Sequence, residues 1–315
     1  MSSIDGYKVI TSEEMEAIEK LSIEEGSSAE SYMLKAGEEV ATHVIAYVEE
    51  NNLQKDCILL VGKGNNGGDA YVVGINLLKK GFFVKAYHLF KTDVSSTLNQ
   101  KYEKAFLEEG GEAHLPESLA DIILNPRGVI IDGLLGTGCR GKLEGFIVEV
   151  IRFVNQSMIP ILAIDIPSGI DGKTGEINPV AIRATKTFFL GLPKLGFFQR
   201  DAYNHIGIFE GIDFGLDIKY KQIAHAKAHL LNEKMVATLL PPLVRTRHKY
   251  QAGYVVAIAG SKGMPGAALL STLATLRAGA GITRLFFPEG MEGELSNAPY
   301  ELIKTSFSYD SIEGI

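Results

Sequence analysis

At 315 residues, 46% of them hydrophobic, the chain is long enough for one large domain or two ordinary ones and apolar enough to bury real cores. A net charge of −7, with the 31 Lys and Arg scattered, argues against a nucleic-acid surface, which needs its basic residues clustered. The start Met1-Ser2-Ser3-Ile4-Asp5 lacks the basic and apolar segments of a secretory signal, no uncharged apolar run reaches the ~20 residues of a spanning helix, and the two cysteines have no pairing or zinc spacing. A reducing, cytoplasmic setting is expected.

In chain order, Thr11-Ser12-Glu13-Glu14 has the capping-box arrangement, with Met15, Ile18 and Leu21 forming a helical apolar face behind it. Residues 30–50 carry a second helical period through Met33, Leu34, Val40, Val44, Ile45 and Val48. Apolar Cys57-Ile58-Leu59-Leu60-Val61 then runs straight into Gly62-Lys63-Gly64-Asn65-Asn66-Gly67-Gly68-Asp69, and a helical period follows to Leu78. This reads as a strand, a glycine loop and a helix N-terminus. Glycines admit backbone N–H groups close to an anion, the asparagines add amide oxygens for a cation or a sugar hydroxyl, and Asp69 adds a carboxylate able to cap the helix. A generic glycine loop is weak on its own, and the paired asparagines make this one more specific.

Further on, Phe82–Leu89, Val129–Ile131, Pro160–Ile164, Thr187–Leu190 and Ile206–Phe209 read as strands, with helices over 95–109 and 147–153 between the first of them. Nearly wholly apolar strands alternating with helices predict an α/β fold, a three-layer Rossmann-like domain with a parallel sheet covered on both faces. Ligands of such sheets sit beyond the carboxyl ends of the strands. Three strands end in polar residues among glycines: at Lys63–Asp69, at Asp132-Gly133-Leu134-Leu135-Gly136-Thr137-Gly138-Cys139-Arg140-Gly141-Lys142, and at Asp165-Ile166-Pro167-Ser168-Gly169-Ile170-Asp171. All three loops should open on one rim.

A lone strand-end aspartate is more often a cap or turn former, but Asp132 and Asp165 beside the asparagine loop reverse that balance. Asp171, followed by glycine, is read as a turn; Lys194 within Gly191-Leu192-Pro193-Lys194-Leu195-Gly196 could approach the site, but the glycines and proline there suffice to explain a turn, which is the favoured reading. Of the dispersed histidines, His248 heads the motif of the later unit and is a candidate for nucleotide binding, His43 and His88 read as packed or surface residues, and Cys139 has no neighbouring base to make it a nucleophile. After residue 225 a new unit starts, with a strand at Tyr254–Ala259, a helix from Pro265 to Ala278 and a strand at Thr283–Phe287. The expected domains are 1–225 and 226–315, the second short for a complete nucleotide-binding α/β domain.

These residues together resemble the bifunctional NAD(P)H-hydrate repair enzymes. The resemblance rests on Glu14-Met15, Met33 with Ala36-Gly37, Asn65–Asp69, Asp132 with Leu135-Gly136-Thr137-Gly138, and Asp165-Ile166-Pro167-Ser168-Gly169 with Asp171 and Thr174-Gly175. It implies that the first 225 residues epimerise the hydrated form of NADH or NADPH at carbon 6 of the reduced nicotinamide ring. Asn65, Asn66, Gly67, Gly68 and Asp69, with Gly136, Thr137, Gly138, Cys139, Arg140, Gly141 and Lys142, would contact the substrate. Asn66, Asp132 and Ser168 would hold a potassium ion, and Asp165 would face the ring as the proton-transferring group, with Arg140 orienting it or pairing with phosphate.

By the same resemblance, residues 245–290 open a truncated ribokinase-like α/β segment, the dehydratase half that uses ADP or ATP. Its glycine-rich catalytic loop does not follow residue 290, so dehydration by this chain alone is not expected. The competing readings are a noncatalytic protein-interaction or RNA-decay scaffold on the same fold, and a small-molecule kinase that lacks its phosphotransfer apparatus. A homo-oligomer stays open, and neither a nucleic acid nor a membrane is expected as a partner.

Overall fold

The apolar runs become strands because their side chains are buried on both sides: every residue of Cys57–Val61, Val129–Gly133 and Ile161–Ile164 is buried. The computed structural model describes residues 7–138 and 141–308, and the chain separates into two compact units, Met1–Val236 and Ala237–Ile315. In the larger unit the elements are β1 (Tyr7–Val9), α1 (Ser12–Glu24), α2 (Ala29–Glu50), β2 (Asp56–Val61), α3 (Asn65–Lys79), β3 (Phe83–His88), α4 (Thr97–Glu108), β4 (Glu112–His114), β5 (Val129–Gly133), α5 (Phe146–Gln156), β6 (Ile161–Ile164), β7 (Lys186–Leu190), β8 (Ile208–Ile212), α6 (Ile218–Ile223) and β9 (Ala228–Leu230). Helix α7 (Glu233–Leu239) spans the division between the units.

Seven parallel strands form one sheet in the order β4-β3-β2-β5-β6-β7-β8. Leu59, Ile131 and Ile164 face a core shared with α2 and α3, through Val40, Val44 and Val72. Ile58, Leu60, Ile130 and Ala163 face α5 through Val150, Ile151 and Val154. Each such side chain, fully buried, contributes about 1.5–3 kcal/mol, which ties the helices to the two faces. The chain progresses outward from β2 in one direction through β3 and β4, and from β5 in the other. Between β2 and β5 the strand order therefore reverses, and a crevice opens at their carboxyl ends.

The smaller unit holds β10 (Tyr254–Ile258), α8 (Gly266–Arg277), β11 (Ile282–Pro288) and β12 (Leu302–Phe307). Its three parallel strands, in the order β10-β11-β12, bury Ala257, Leu285, Phe287 and Leu302 against Ala268, Met291 and Leu295. On the opposite face Tyr254, Val256 and Ile258 remain 45%, 49% and 60% exposed.

Several sequence expectations change in detail. Only half of the capping box forms: Thr11 accepts from the Glu14 N–H, but the Glu14 carboxylate turns to accept from the His225 N–H at 2.7 Å. Helix α3 starts at Asn65, so Asn65–Asp69 is its first turn rather than a loop preceding it. Asp69 does not cap it: the N-cap is Gly64, which has no side chain to offer. The short strands β1, β4 and β9 and the third strand β12 carry no uninterrupted apolar run, and the sequence reading passed over them. β9 lies beyond residue 225 and pairs antiparallel with β1.

Candidate active site

The site is assembled from the backbone outward. Gly62 follows β2 and lies so close to the loop after β5 that an added Cβ would meet the Leu134 carbonyl oxygen at 1.6 Å; one on Gly67 would meet the Gly62 carbonyl oxygen at 2.2 Å. These two glycines serve backbone packing, whereas Gly64 opens on empty space and Gly68 backs onto Met33. Asn99 of α4 locks the turn by donating to the carbonyls of Gly62 and Gly64, each at 2.8 Å, and Ser96 donates to Asn65 Oδ1 at 2.8 Å.

Asp132, at the end of β5, is wholly buried. Its carboxylate accepts from Ser168 Oγ at 2.6 Å, from the Ser168 N–H at 2.8 Å and from the Leu134 N–H at 3.2 Å. Burial pushes this carboxyl up to about 6, and the three hydrogen bonds work against that rise. Ser168 Oγ also accepts from the Leu135 N–H at 2.9 Å, and Asn66 Nδ2 donates to the carbonyls of Leu135 at 2.9 Å and Ile164 at 3.3 Å. Asn66, Asp132 and Ser168 are thus joined through Leu135, and the loops after β2, β5 and β6 do meet on one rim.

Asp165, the residue after Ile164 of β6, adopts φ +65°, a left-handed conformation that Asp and Asn enter more readily than other side-chain-bearing residues. Its Oδ1 accepts from the Leu190 N–H at 3.3 Å and from Lys194 Nζ in a close ion pair. Lys194 is completely buried and also donates to the Leu190 carbonyl at 2.9 Å. Its loop is fixed in turn by Ile10, whose N–H donates to the Pro193 carbonyl at 3.1 Å and whose carbonyl accepts from the Leu195 N–H at 2.7 Å. The turn expected around Lys194 is present, with Gly191 at φ +71°, but reading the lysine as only part of that turn is corrected: its ammonium is aimed inward at Asp165. Asp171 keeps its turn role, accepting from the N–H groups of Lys173 and Thr174.

A cavity of about 730 Å³ lies over these loop ends, within the usual range for small-molecule sites. Of the residues expected from sequence, Asn65, Asn66, Asp69, Gly136, Thr137, Gly138, Lys142 and Asp165 line it. Gly67, Gly68, Asp132 and Ser168 lie behind that lining and support it, and Gly141 does not reach it. Cys139 and Arg140 lie outside the described residues.

Two acids from α1, Glu16 and Glu19, also line the cavity and were missed, as was Lys63. Glu19, half-buried, borders the buried stripe of Met15, Ile18 and Ser22, and a carboxylate beside an apolar stripe was the one cue available. Burial pushes its carboxyl up to about 7, with Asp165 adding to the rise and Lys194 opposing it. Burial also holds Asp69 well above the usual carboxylate range, reinforced by Asp165 and Glu19. Elsewhere in the unit a cavity of about 690 Å³, lined by Arg152, Asn155, Arg183 and His205 among others, gathers no buried carboxylate. Among the described residues, no helix is long and apolar enough to cross a membrane.

A family model described as YjeF-related protein N-terminus matches residues 29–196. The chain is 31% identical over 306 residues to the bifunctional NAD(P)H-hydrate repair enzyme Nnr of Moorella thermoacetica, covering 95% of this chain and 57% of that protein. It is 32% identical over 307 residues to the Nnr of Synechocystis sp., covering 94% and 56%, and 31% identical over 264 residues to a bifunctional NAD(P)H-hydrate repair enzyme of Leishmania braziliensis, covering 79% and 46%. The chain spans about half the length of these relatives. A crystal structure of the yeast protein ynu0 superposes with a TM-score of 0.56 at 21% identity, over 65% of this chain and 87% of that one, a likeness of fold.

Proposed function

The chain belongs to the YjeF-related protein N-terminus family, and from that premise we propose that its larger unit interconverts the two configurations of NAD(P)H hydrate at carbon 6 of the reduced nicotinamide ring. One observation carries this reading. An aspartate held by a buried lysine stands at the tip of a central strand, on the wall of a cavity that also takes in the first turn of α3. That helix N-terminus and the Gly136–Gly138 backbone suit a phosphate-bearing ligand, with Lys63 and Lys142 as cations on the same wall.

The chemistry asked of the site is modest. Lone-pair donation from the ring nitrogen expels the carbon 6 hydroxyl as water and leaves an iminium, which then accepts water on either face. A carboxylate beside that ring stabilises the cation and moves the proton. Asp165 is placed for both tasks.

A potassium ion is part of this proposal. Among the described residues no group of three His, Cys, Asp or Glu could hold a metal, so a cation here would rely on the Asn66 amide oxygen, Ser168 Oγ and the single Asp132 carboxylate. An all-oxygen set with one charge suits a hard monovalent ion, and the unfavourable burial of Asp132 is what such an ion would relieve. When bound, it would supply positive charge beside the substrate's pyrophosphate.

The test is to mix the full chain with separated hydrate epimers, in potassium and in tetramethylammonium buffers, and to follow their interconversion by chromatography. Wild type in potassium is expected to outrun buffer, and Asp165→Asn to lose about 100-fold or more of that rate. Equal rates for wild type, variant and buffer would leave the scaffold reading standing instead.

A further inference from the structure

Epimerisation through an iminium requires two proton movements. The departing hydroxyl must gain a proton, and the incoming water must lose one. Asp165 is poorly arranged to do both, because its Oδ1 is occupied by Lys194 Nζ and the Leu190 N–H. Lys194 is itself fixed by the Leu190 carbonyl, so the ammonium stays on the carboxylate. This leaves Oδ2, to which no hydrogen bond is made among the described residues, as the oxygen through which Asp165 can exchange a proton.

Helix α1 adds Glu16 and Glu19 to the cavity wall that Asp69 and Asp165 already line. Glu19 lines the cavity with Asp69, Asp165 and Leu190, one helical turn beyond Met15 and beside the stripe that packs into the core. Its carboxyl makes no hydrogen bond or ion pair among the described residues.

We propose that Glu19 is the second proton-transfer group of this site: it gives its proton to the departing hydroxyl, while Asp165, held by Lys194, takes a proton from the water that adds. The inference rests on the epimerisation reading. As the carbon 6–oxygen bond breaks, its electron pair leaves on oxygen, the Glu19 proton completes a water molecule, and the ring-nitrogen lone pair closes a carbon–nitrogen double bond. In the return step a water lone pair forms the new carbon–oxygen bond, the double-bond pair goes back to nitrogen, and the released proton passes to Asp165 Oδ2. Solvent in the cavity returns that proton to Glu19. Nothing is oxidised or reduced over the cycle.

The electrostatics support this division. The groups acting on Glu19 are Asp165 after β6, Lys194 after β7 and Glu16 on its own helix, and Asp69 of α3 feels Glu19 in return. With burial dominating and its carboxyl near 7, Glu19 retains a proton to give in neutral solution.

The experiment uses the full chain with Glu19→Gln and Glu19→Asp, measuring kcat and KM for epimer interconversion on both sides of pH 7 and the uptake of heavy oxygen at carbon 6 from labelled water. Thermal unfolding checks that each variant is folded. For Glu19→Gln, kcat and oxygen uptake are expected to fall together by about 100-fold with KM little changed, and the wild-type decline in rate above pH 7 to disappear. Glu19→Asp should restore part of the rate. A Glu19→Gln variant with wild-type kcat and pH profile, or one changed in KM alone, overturns the proposal and leaves the epimerase reading intact. A wild type that fails to interconvert the epimers overturns both.

Discussion

Lys194 and Asp165 form a pair in which the ammonium is sealed from water and the carboxylate reaches it only along the cavity wall. Removing the ammonium while keeping the carboxylate strands a buried charge, so Lys194→Met is expected to cost about 3–5 kcal/mol in chemical denaturation. The double variant Lys194→Met/Asp165→Asn should recover part of that loss, because the charge goes with its partner. Glu19 behaves in the opposite way. Its folded value near 7 lies above its ordinary 4.5, so the protonated form is the one the fold favours. The associated stability is fully present below about 4.5 and is lost as the pH climbs through 7. Denaturation of Glu19→Gln should therefore show it gaining on wild type between pH 5 and 8, by up to about 3 kcal/mol. Asp132, Asp165, Asn66 and Ser168 were legible in the sequence because each follows an apolar strand, where side chains of open α/β sheets meet ligands. Lys194 was not: glycine and proline beside it account for a turn whichever way the ammonium points. Glu19 was hidden in a helix whose exposed glutamates look the same on paper.

At the level of the element, the strand-to-helix turn is held by backbone against backbone. Gly67→Ala would drive a methyl group into the Gly62 carbonyl, and neither chain can give way cheaply. Gly64→Ala meets nothing within 4 Å, and its φ of −88° is open to any residue. Thermal unfolding should show Gly64→Ala near wild type and Gly67→Ala lower by several degrees, the response to about 1–3 kcal/mol of overpacking. The same contrast explains which elements sequence reading could find. β2, β5 and β6 announce themselves because burial on both faces demands unbroken apolar runs. β4, reading Glu112-Ala113-His114, sits at a sheet edge where one polar flank is tolerated, so it leaves no such run. Helix α3 was placed late for a related reason. Asn and Gly are weak helix formers, and here the turn into α3 is held by Asn99 of α4 and by Ser96, which caps α4, a tertiary effect invisible to local propensity.

Across the whole molecule, every residue lining the 730 Å³ cavity belongs to Met1–Val236. Residues 240–246 beyond it are exposed and carry no helix or strand. Limited trypsinolysis should cut first after Arg245, with mass spectrometry reporting the site, and the larger fragment should keep the melting transition of its unit in the intact chain. The smaller unit has a different character. Tyr254, Val256 and Ile258 stand at alternate positions of one strand, all turned to the uncovered side of their sheet. Such a face lowers its free energy by shedding water onto whatever oily surface it meets. How well the chain tolerates being concentrated, frozen or stored is then governed by a patch that contributes nothing to the wall of the cavity.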